Sequence, residues 1–333
     1  MGNRSAQDEL RLKKRGALII AEQGSRFIGG EDLANQMLRA AKSAAAAFIG
    51  SGTITTGQIY VRHQIPVEAR QSSIVLVHGG SLTGACWETT PDGRQGWDEY
   101  FLRRGFSTYV IDQVARGRSA CNASEINAVR DGDLEPAALP TIFTLARESA
   151  WATFRLGPDV GARHPGVRFP IEAAADLWRQ VVPDWSLSLP QPNPTIAGLA
   201  RLTSEVGPGV LIGHSQSGGF PFLVAERAES RVSAIVSIEP AACPDIDDAA
   251  GVYDGLPILF LYGDYIRESD FWRPRLEECE RFVERLNVAG ARAQIIILSE
   301  RGLPGHTHLM MQDLGNLEIA DLIVDWLDRN AVT

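Results

Sequence analysis

Val210-Leu211-Ile212-Gly213-His214-Ser215-Gln216-Ser217-Gly218-Gly219 decides how this chain folds. An apolar run of strand length leads without a break into a serine flanked by small residues, and 220–227 then has the amphipathy of a helix. A strand that turns sharply into a helix lifts the side chain at the turn clear of the backbone, which requires small neighbours. The usual spacing is G-x-S-x-G. Here Ser217 stands at the second glycine position and Gly218 and Gly219 follow it, with serine still small enough for the turn. A glycine-rich loop that merely caps a helix is the competing reading; the strand-turn-helix context favours a presented nucleophile.

Outward from this stretch, short apolar runs recur at 74–77, 108–111, 234–238, 258–262 and 294–298, as expected of strands buried on both faces. Amphipathic stretches of helical length lie at 97–104, 275–287 and 317–327. Strand alternating with helix predicts a mostly parallel central sheet with helices on both faces. About ninety residues separate the run ending near Tyr109 from that at Val210, including the proline-rich 189–194, and this predicts a cap inserted at about 120–205. Its aromatics Trp151, Phe154, Trp178 and Trp185 either form the cap's own core or line a substrate pocket. Together these features predict an α/β-hydrolase fold over 51–333 behind an N-terminal wrapping segment, 1–50. That segment has a Gly-rich turn at Gly29-Gly30 and an Ala-rich helical stretch near Leu38 to Phe48. Thr53 to Ile65 alternates around Gly57-Gln58 and predicts a β-hairpin.

The composition narrows the function classes. Of 333 residues, 44% are hydrophobic and 22% charged, enough for a sizeable core. The formal charge of −9 is scattered, which disfavours nucleic acid as a partner. No apolar run is long enough to span a membrane. The basic Lys13-Lys14-Arg15 and the apolar 16–21 are too short for a secretion signal, so the expected compartment is cytoplasmic. Cys86, Cys121, Cys243 and Cys279 form no C-x-x-C pair and read as buried thiols; a Cys243 to Cys279 disulfide would require an oxidising compartment.

A serine hydroxyl is a weak nucleophile until a base takes its proton, and in this fold the histidine comes after the last strand. Gly305-His306-Thr307-His308 offers two. As a metal pair this H-x-H lacks a carboxylate or cysteine partner at fitting spacing, so no metal and no organic cofactor is expected. Two acids compete to orient the base. Asp264, just past 258–262, has the commoner location, and Glu239 closes the very apolar 234–238. Position alone narrowly favours Asp264. An oxyanion hole needs two backbone N–H groups, for which Gln216, following the nucleophile, and Gly80 in His78-Gly79-Gly80-Ser81 are the candidates. Asp112 to Ser119 is expected to shape the floor of the site by ion pairing, without a catalytic role.

The chain also resembles a known family. Gly24-Ser25-Arg26-Phe27-Ile28-Gly29-Gly30, Tyr60-Val61-Arg62, Trp87-Glu88-Thr89-Thr90-Pro91-Asp92-Gly93-Arg94, Gly96-Trp97-Asp98-Glu99-Tyr100-Phe101-Leu102, Val182-Pro183-Asp184-Trp185, His214-Ser215-Gln216-Ser217-Gly218 and Met311-Gln312-Asp313 are similar to the bacterial esterase 713 (Alcaligenes) family of α/β-hydrolases. The resemblance covers most of the chain. It implies a Ser-His-Glu triad of Ser215, His308 and Glu239, which reverses the preference for Asp264 and sets His306 aside. It also implies a homodimer. In the family two adjacent, disulfide-linked cysteines occupy the oxyanion loop where this chain has Gly80-Ser81, so that bond cannot form here. The family member is exported; with no equivalent leader seen here, compartment is not carried over.

These readings lead to a carboxylic ester hydrolase acting on a small-molecule ester through an acyl-enzyme. A lactonase opening a cyclic ester with the same triad is the alternative within the class. A ligand-binding receptor with vestigial hydrolase activity is the alternative from another.

Overall fold

The computed structural model describes residues 16–38, 50–246 and 251–332. Its strands are β1 (Ile20–Met37), β2 (Ser51–Pro66), β3 (Ser73–Val77), β4 (Thr108–Asp112), β5 (Gly209–His214), β6 (Val232–Ile238), β7 (Pro257–Tyr262) and β8 (Arg292–Ile297). They form one sheet in the order β1-β2-β4-β3-β5-β6-β7-β8. β1 and β2 run antiparallel, and β3 to β8 are parallel. This is the α/β-hydrolase fold. The helices are α1 (Ala85–Glu88), α2 (Trp97–Arg103), α3 (Ser124–Asp131), α4 (Arg147–Thr153), α5 (Ala174–Gln180), α6 (Pro194–Val206), α7 (Phe220–Ala225), α8 (Arg273–Val288) and α9 (Asn316–Arg329).

Side chains alternate across a strand, so each central strand feeds two cores. Ile74, Leu76, Val110, Ile212, Val236 and Leu259 pack with Trp97 and Phe101 of α2 and Ile319 and Ile323 of α9. Val75, Val77 and Leu211 face the other way, onto Ile196, Leu199 and Leu202 of α6. Ile235, Ile258 and Phe260 share that second side with Leu276, Phe282 and Leu286 of α8. Burial on both faces explains why these strands read as unbroken apolar runs.

The hairpin expected over Thr53 to Ile65 does not form. Its turn, Gly57-Gln58, lies inside the single strand β2, whose partner is β1; Gly29 faces Gln58 and Glu31 faces Thr56. The turn expected at Gly29-Gly30 lies inside β1 for the same reason. Gly29, Gly30 and Gly57 all have φ between +76° and +88°. A Cβ on Gly30 would lie 3.2 Å from the Thr56 carbonyl. The three glycines take left-handed backbone inside the paired ribbon, and the chain does not reverse there. A glycine beside a polar residue gives the same local signal for either outcome, and only the distant partner separates them. The N-terminal segment thus supplies an edge strand, and the helix expected near Leu38 to Phe48 lies, beyond Leu38, outside the described residues.

The long connection from β4 to β5 carries α3, α4, α5 and α6. Its last helix packs on the sheet. Asn193 caps that helix by accepting from the Thr195 N–H at 2.9 Å, with Pro194 in the first turn. α4 instead leads to the carboxyl ends of the strands, where the Phe154 carbonyl accepts from the His308 N–H at 3.1 Å. Among the described residues no helix is long and apolar enough to cross a membrane.

Candidate active site

Ser215 follows β5 at φ +57°, a conformation a residue with a Cβ adopts only where its surroundings enforce it. The enforcement is visible in the glycines beside it. A Cβ on Gly213 would lie 2.4 Å from the Ser217 carbonyl, and one on Gly218 would lie 2.6 Å from Pro240 Cα. Ser217, at the position usually held by glycine, is buried, and its hydroxyl donates to the Val77 carbonyl at 3.0 Å and accepts from the His214 N–H at 3.1 Å. The substitution therefore ties the turn to β3.

His308 arrives on the loop after β8, and that loop is held at each residue from Gly305 to His308. Asp264 Oδ2 accepts from the Gly305 N–H at 2.7 Å, and the Asp264 N–H donates to the His306 carbonyl at 2.7 Å. Asp313 accepts from the Thr307 N–H at 2.6 Å and its hydroxyl at 2.9 Å, and lies 3.2 Å from His306 Nδ1. His214 Nε2 donates to the His308 carbonyl at 2.9 Å. The His308 ring lies between Phe154, Trp272 and His214, at centroid distances of 5.5, 4.4 and 4.5 Å.

The structure joins His308 Nδ1 to Glu239 Oε2 at 2.5 Å. Asp264 does not reach His308; it braces the histidine's loop from behind. His306 turns to Asp313. The Ser215 carbonyl accepts from the Ala241 N–H at 2.9 Å, which ties the turn to the segment two residues past Glu239. Ser215 Oγ itself makes no hydrogen bond among the described residues. Such contacts are often long before substrate binds.

Both oxygens of Glu239 are fully engaged. Oε2 accepts from His308 and from Arg155 Nη1 at 2.8 Å, while Oε1 accepts from Arg155 Nη2 and from the Gly263 N–H at 2.7 Å. Burial alone would raise this carboxyl, but Arg155 and then His308 outweigh it and hold it well below the usual carboxylate range. Burial lowers His308 below the ordinary histidine value against the pull of Glu239, and Arg155 adds to the lowering. His214 and His78 are likewise held neutral by burial, His78 at about 4.

Gly79 packs directly against Ser215: a Cβ there would lie 2.9 Å from Ser215 Cβ. Neither the Gly80 nor the Gln216 N–H donates to another group among the described residues. A buried ion pair of Arg116 with Asp184 braces both segments. Asp184 Oδ2 accepts from the Ser81 N–H at 2.9 Å, and Arg116 Nη2 donates to Gln216 Oε1 at 2.9 Å. Asp112 accepts from Gly84 and Arg118 below it.

Of the cap aromatics, Trp151 and Phe154 are buried in the core, with Trp178 tilted against Trp151 at 6.4 Å. Trp185 is half-buried beside Asp184. All four cysteines are free, so Cys243 and Cys279 form no disulfide in this structure. Among the described residues no cluster of three or more His, Cys, Asp or Glu could hold a metal ion. Sequence reasoning did not single out Arg155, Trp272 or the Arg116 to Asp184 pair. The signal for Arg155 was an arginine within the apolar Trp151-Ala152-Thr153-Phe154-Arg155-Leu156, where a buried cation demands an acid partner.

A solved bacterial esterase is 47% identical to this chain, with a TM-score of 0.91 and coverage of 96% of this chain and 98% of that one. A curated protein described as a probable secreted lipase, phiG, from a fungal species (Fungal sp.) is 25% identical over 334 residues, covering 85% of this chain and 89% of its own length. No family model matches.

Proposed function

The chain belongs to a bacterial esterase family of α/β-hydrolases, and on that footing we propose that it hydrolyses carboxylic esters through Ser215, His308 and Glu239. The observation that carries the reading is a histidine that is bonded to a buried carboxylate and whose own carbonyl is held by His214, the residue before a serine at φ +57° on a strand-to-helix turn. Ser215 Oγ attacks the ester carbonyl carbon while His308 Nε2 takes its proton. Glu239 holds the Nδ1–H tautomer and stabilises the imidazolium that forms. The carbonyl oxygen, now an anion, is stabilised by the free N–H groups of Gly80 and Gln216. The alcohol leaves with the proton from His308, and water cleaves the acyl-enzyme by the same steps in reverse roles.

Trp185 and Trp178, the half-buried members of the aromatic set, are proposed as pocket walls. Trp185 lies beside Ser186, whose hydroxyl accepts from Gln216 Nε2 at 2.9 Å, and so borders the oxyanion side. Replacing Ser215 by alanine removes the nucleophile and little volume. Hydrolysis of p-nitrophenyl acetate by Ser215→Ala is expected to fall to background with the circular dichroism spectrum unchanged; parental turnover would refute the reading.

A further inference from the structure

We propose that Arg155, delivered by the inserted segment, is a positioning residue of the triad: it fixes the Glu239 carboxylate and, as a permanent cation, tunes His308 as a base. The inference rests on the triad reading above. Arg155 is about as deeply buried as the acid it holds, with side chains 1% and 0% exposed. Its two terminal nitrogens bond the two carboxylate oxygens, and its Nε donates to the Asp264 carbonyl at 2.7 Å, so all three nitrogens are committed and the fork cannot swing. The Trp272 ring, which also packs on His308, lies 5.9 Å from the guanidinium carbon. The backbone at Arg155 has φ +57°, a conformation the surrounding packing must impose.

Two consequences follow from the charges. A carboxylate in this dry setting would take up a proton unless an opposite charge were fixed beside it. Arg155 supplies that charge and keeps Glu239 ionised with Oε2 aimed at Nδ1. The same cation opposes a second positive charge on His308. The charged and titratable groups facing His308 are Glu239 at the end of β6, Arg155 after α4, His214 at the end of β5, Asp264 after β7, and His306 and Asp313 on its own loop. Removing Arg155 raises the proton affinity of the Glu239 and His308 pair as a whole, whichever atom takes the proton. The working form carries no such proton, so the acid limb of kcat/KM must move to higher pH. Because the arginine comes from the insertion, catalytic competence is tied to the seating of that segment on the sheet.

The test compares pH profiles for p-nitrophenyl acetate hydrolysis by the full chain, Arg155→Gln and Arg155→Lys, with Ser215→Ala alongside. In Arg155→Gln the acid limb of kcat/KM is expected to rise by about one pH unit or more. In Arg155→Lys, which keeps the charge but cannot bond both oxygens, the limb is expected to stay at the parental value while plateau kcat falls and KM holds. An unmoved limb in Arg155→Gln, or a limb in Arg155→Lys displaced equally far, would overturn the proposal. Should Arg155→Gln not fold, Arg155→Lys decides: reduced kcat with a parental limb supports it, and parental kcat overturns it. Undiminished hydrolysis by Ser215→Ala would sink the triad reading and this inference with it; an inactive Ser215→Ala beside unmoved limbs sinks only the role of Arg155.

Discussion

Glu239 closes β6 with both carboxylate oxygens committed to Arg155, His308 and the Gly263 N–H, whereas Asp264, after β7, spends its oxygens on the backbone of Tyr265 and Gly305. Glu239→Gln is therefore expected to lower kcat by roughly 10³-fold or more, because an amide neither fixes the tautomer nor stabilises the imidazolium. Asp264→Asn, which only loosens a supporting loop, is expected to cost roughly tenfold or less. Steady-state kinetics on p-nitrophenyl acetate compares them, and a larger loss from Asp264→Asn would move the acid to β7. The titration of His308 adds a second expectation. The base must be neutral to accept the serine proton, and burial followed by Arg155 lowers its pKa. The acid limb of kcat/KM in the parent should then lie below the ordinary histidine value of about 6.5; a limb above it would contradict this electrostatic account. At this scale the serine was readable from its neighbours, since the turn makes local demands that glycine and serine reveal. Position alone left His306 and His308 undecided and narrowly favoured Asp264, and it was the family resemblance that implied His308 and Glu239; residues two apart on one loop, or closing neighbouring strands, face different partners that local sequence does not encode.

Elements were legible in proportion to how strongly both faces are buried. β3 to β8 lie within two residues of the apolar runs that announced them: β3, β4, β5 and β7 are buried along their whole length, and in β8 the apolar Ile295 to Ile297 gave the signal although Arg292 and Gln294 are exposed. The ribbon of β1 and β2 was misread because Gly57-Gln58 carries local turn chemistry, while its real partner, Gly29-Gly30, lies nearly thirty residues away in the chain. Inside the insertion, α3, α4 and α5 span only seven or eight residues each, too short for a helical period to stand out. The two charged residues that this insertion contributes to the site, Arg155 and Asp184, gave no periodic signal at all. Their meaning depends on Glu239 and Arg116, which come from other elements.

Over the whole molecule, the candidate site gathers the carboxyl ends of β3, β5, β6 and β8, and the connection from β4 to β5 reaches them at Phe154, Arg155 and Asp184. The parallel sheet makes this convergence unavoidable, since all these strands end on the same edge. Two buried ion pairs, Arg155 with Glu239 and Arg116 with Asp184, join the insertion to the core on the acid side and the oxyanion side. Breaking either would leave an uncompensated buried charge, so the insertion and the candidate site are fixed as one unit. If this unit activates Ser215, a fluorophosphonate probe added to the intact protein, followed by mass analysis of the peptides, should give one adduct, on Ser215, that Ser215→Ala abolishes; an unlabelled Ser215, or an adduct confined to another residue, would rule that activation out.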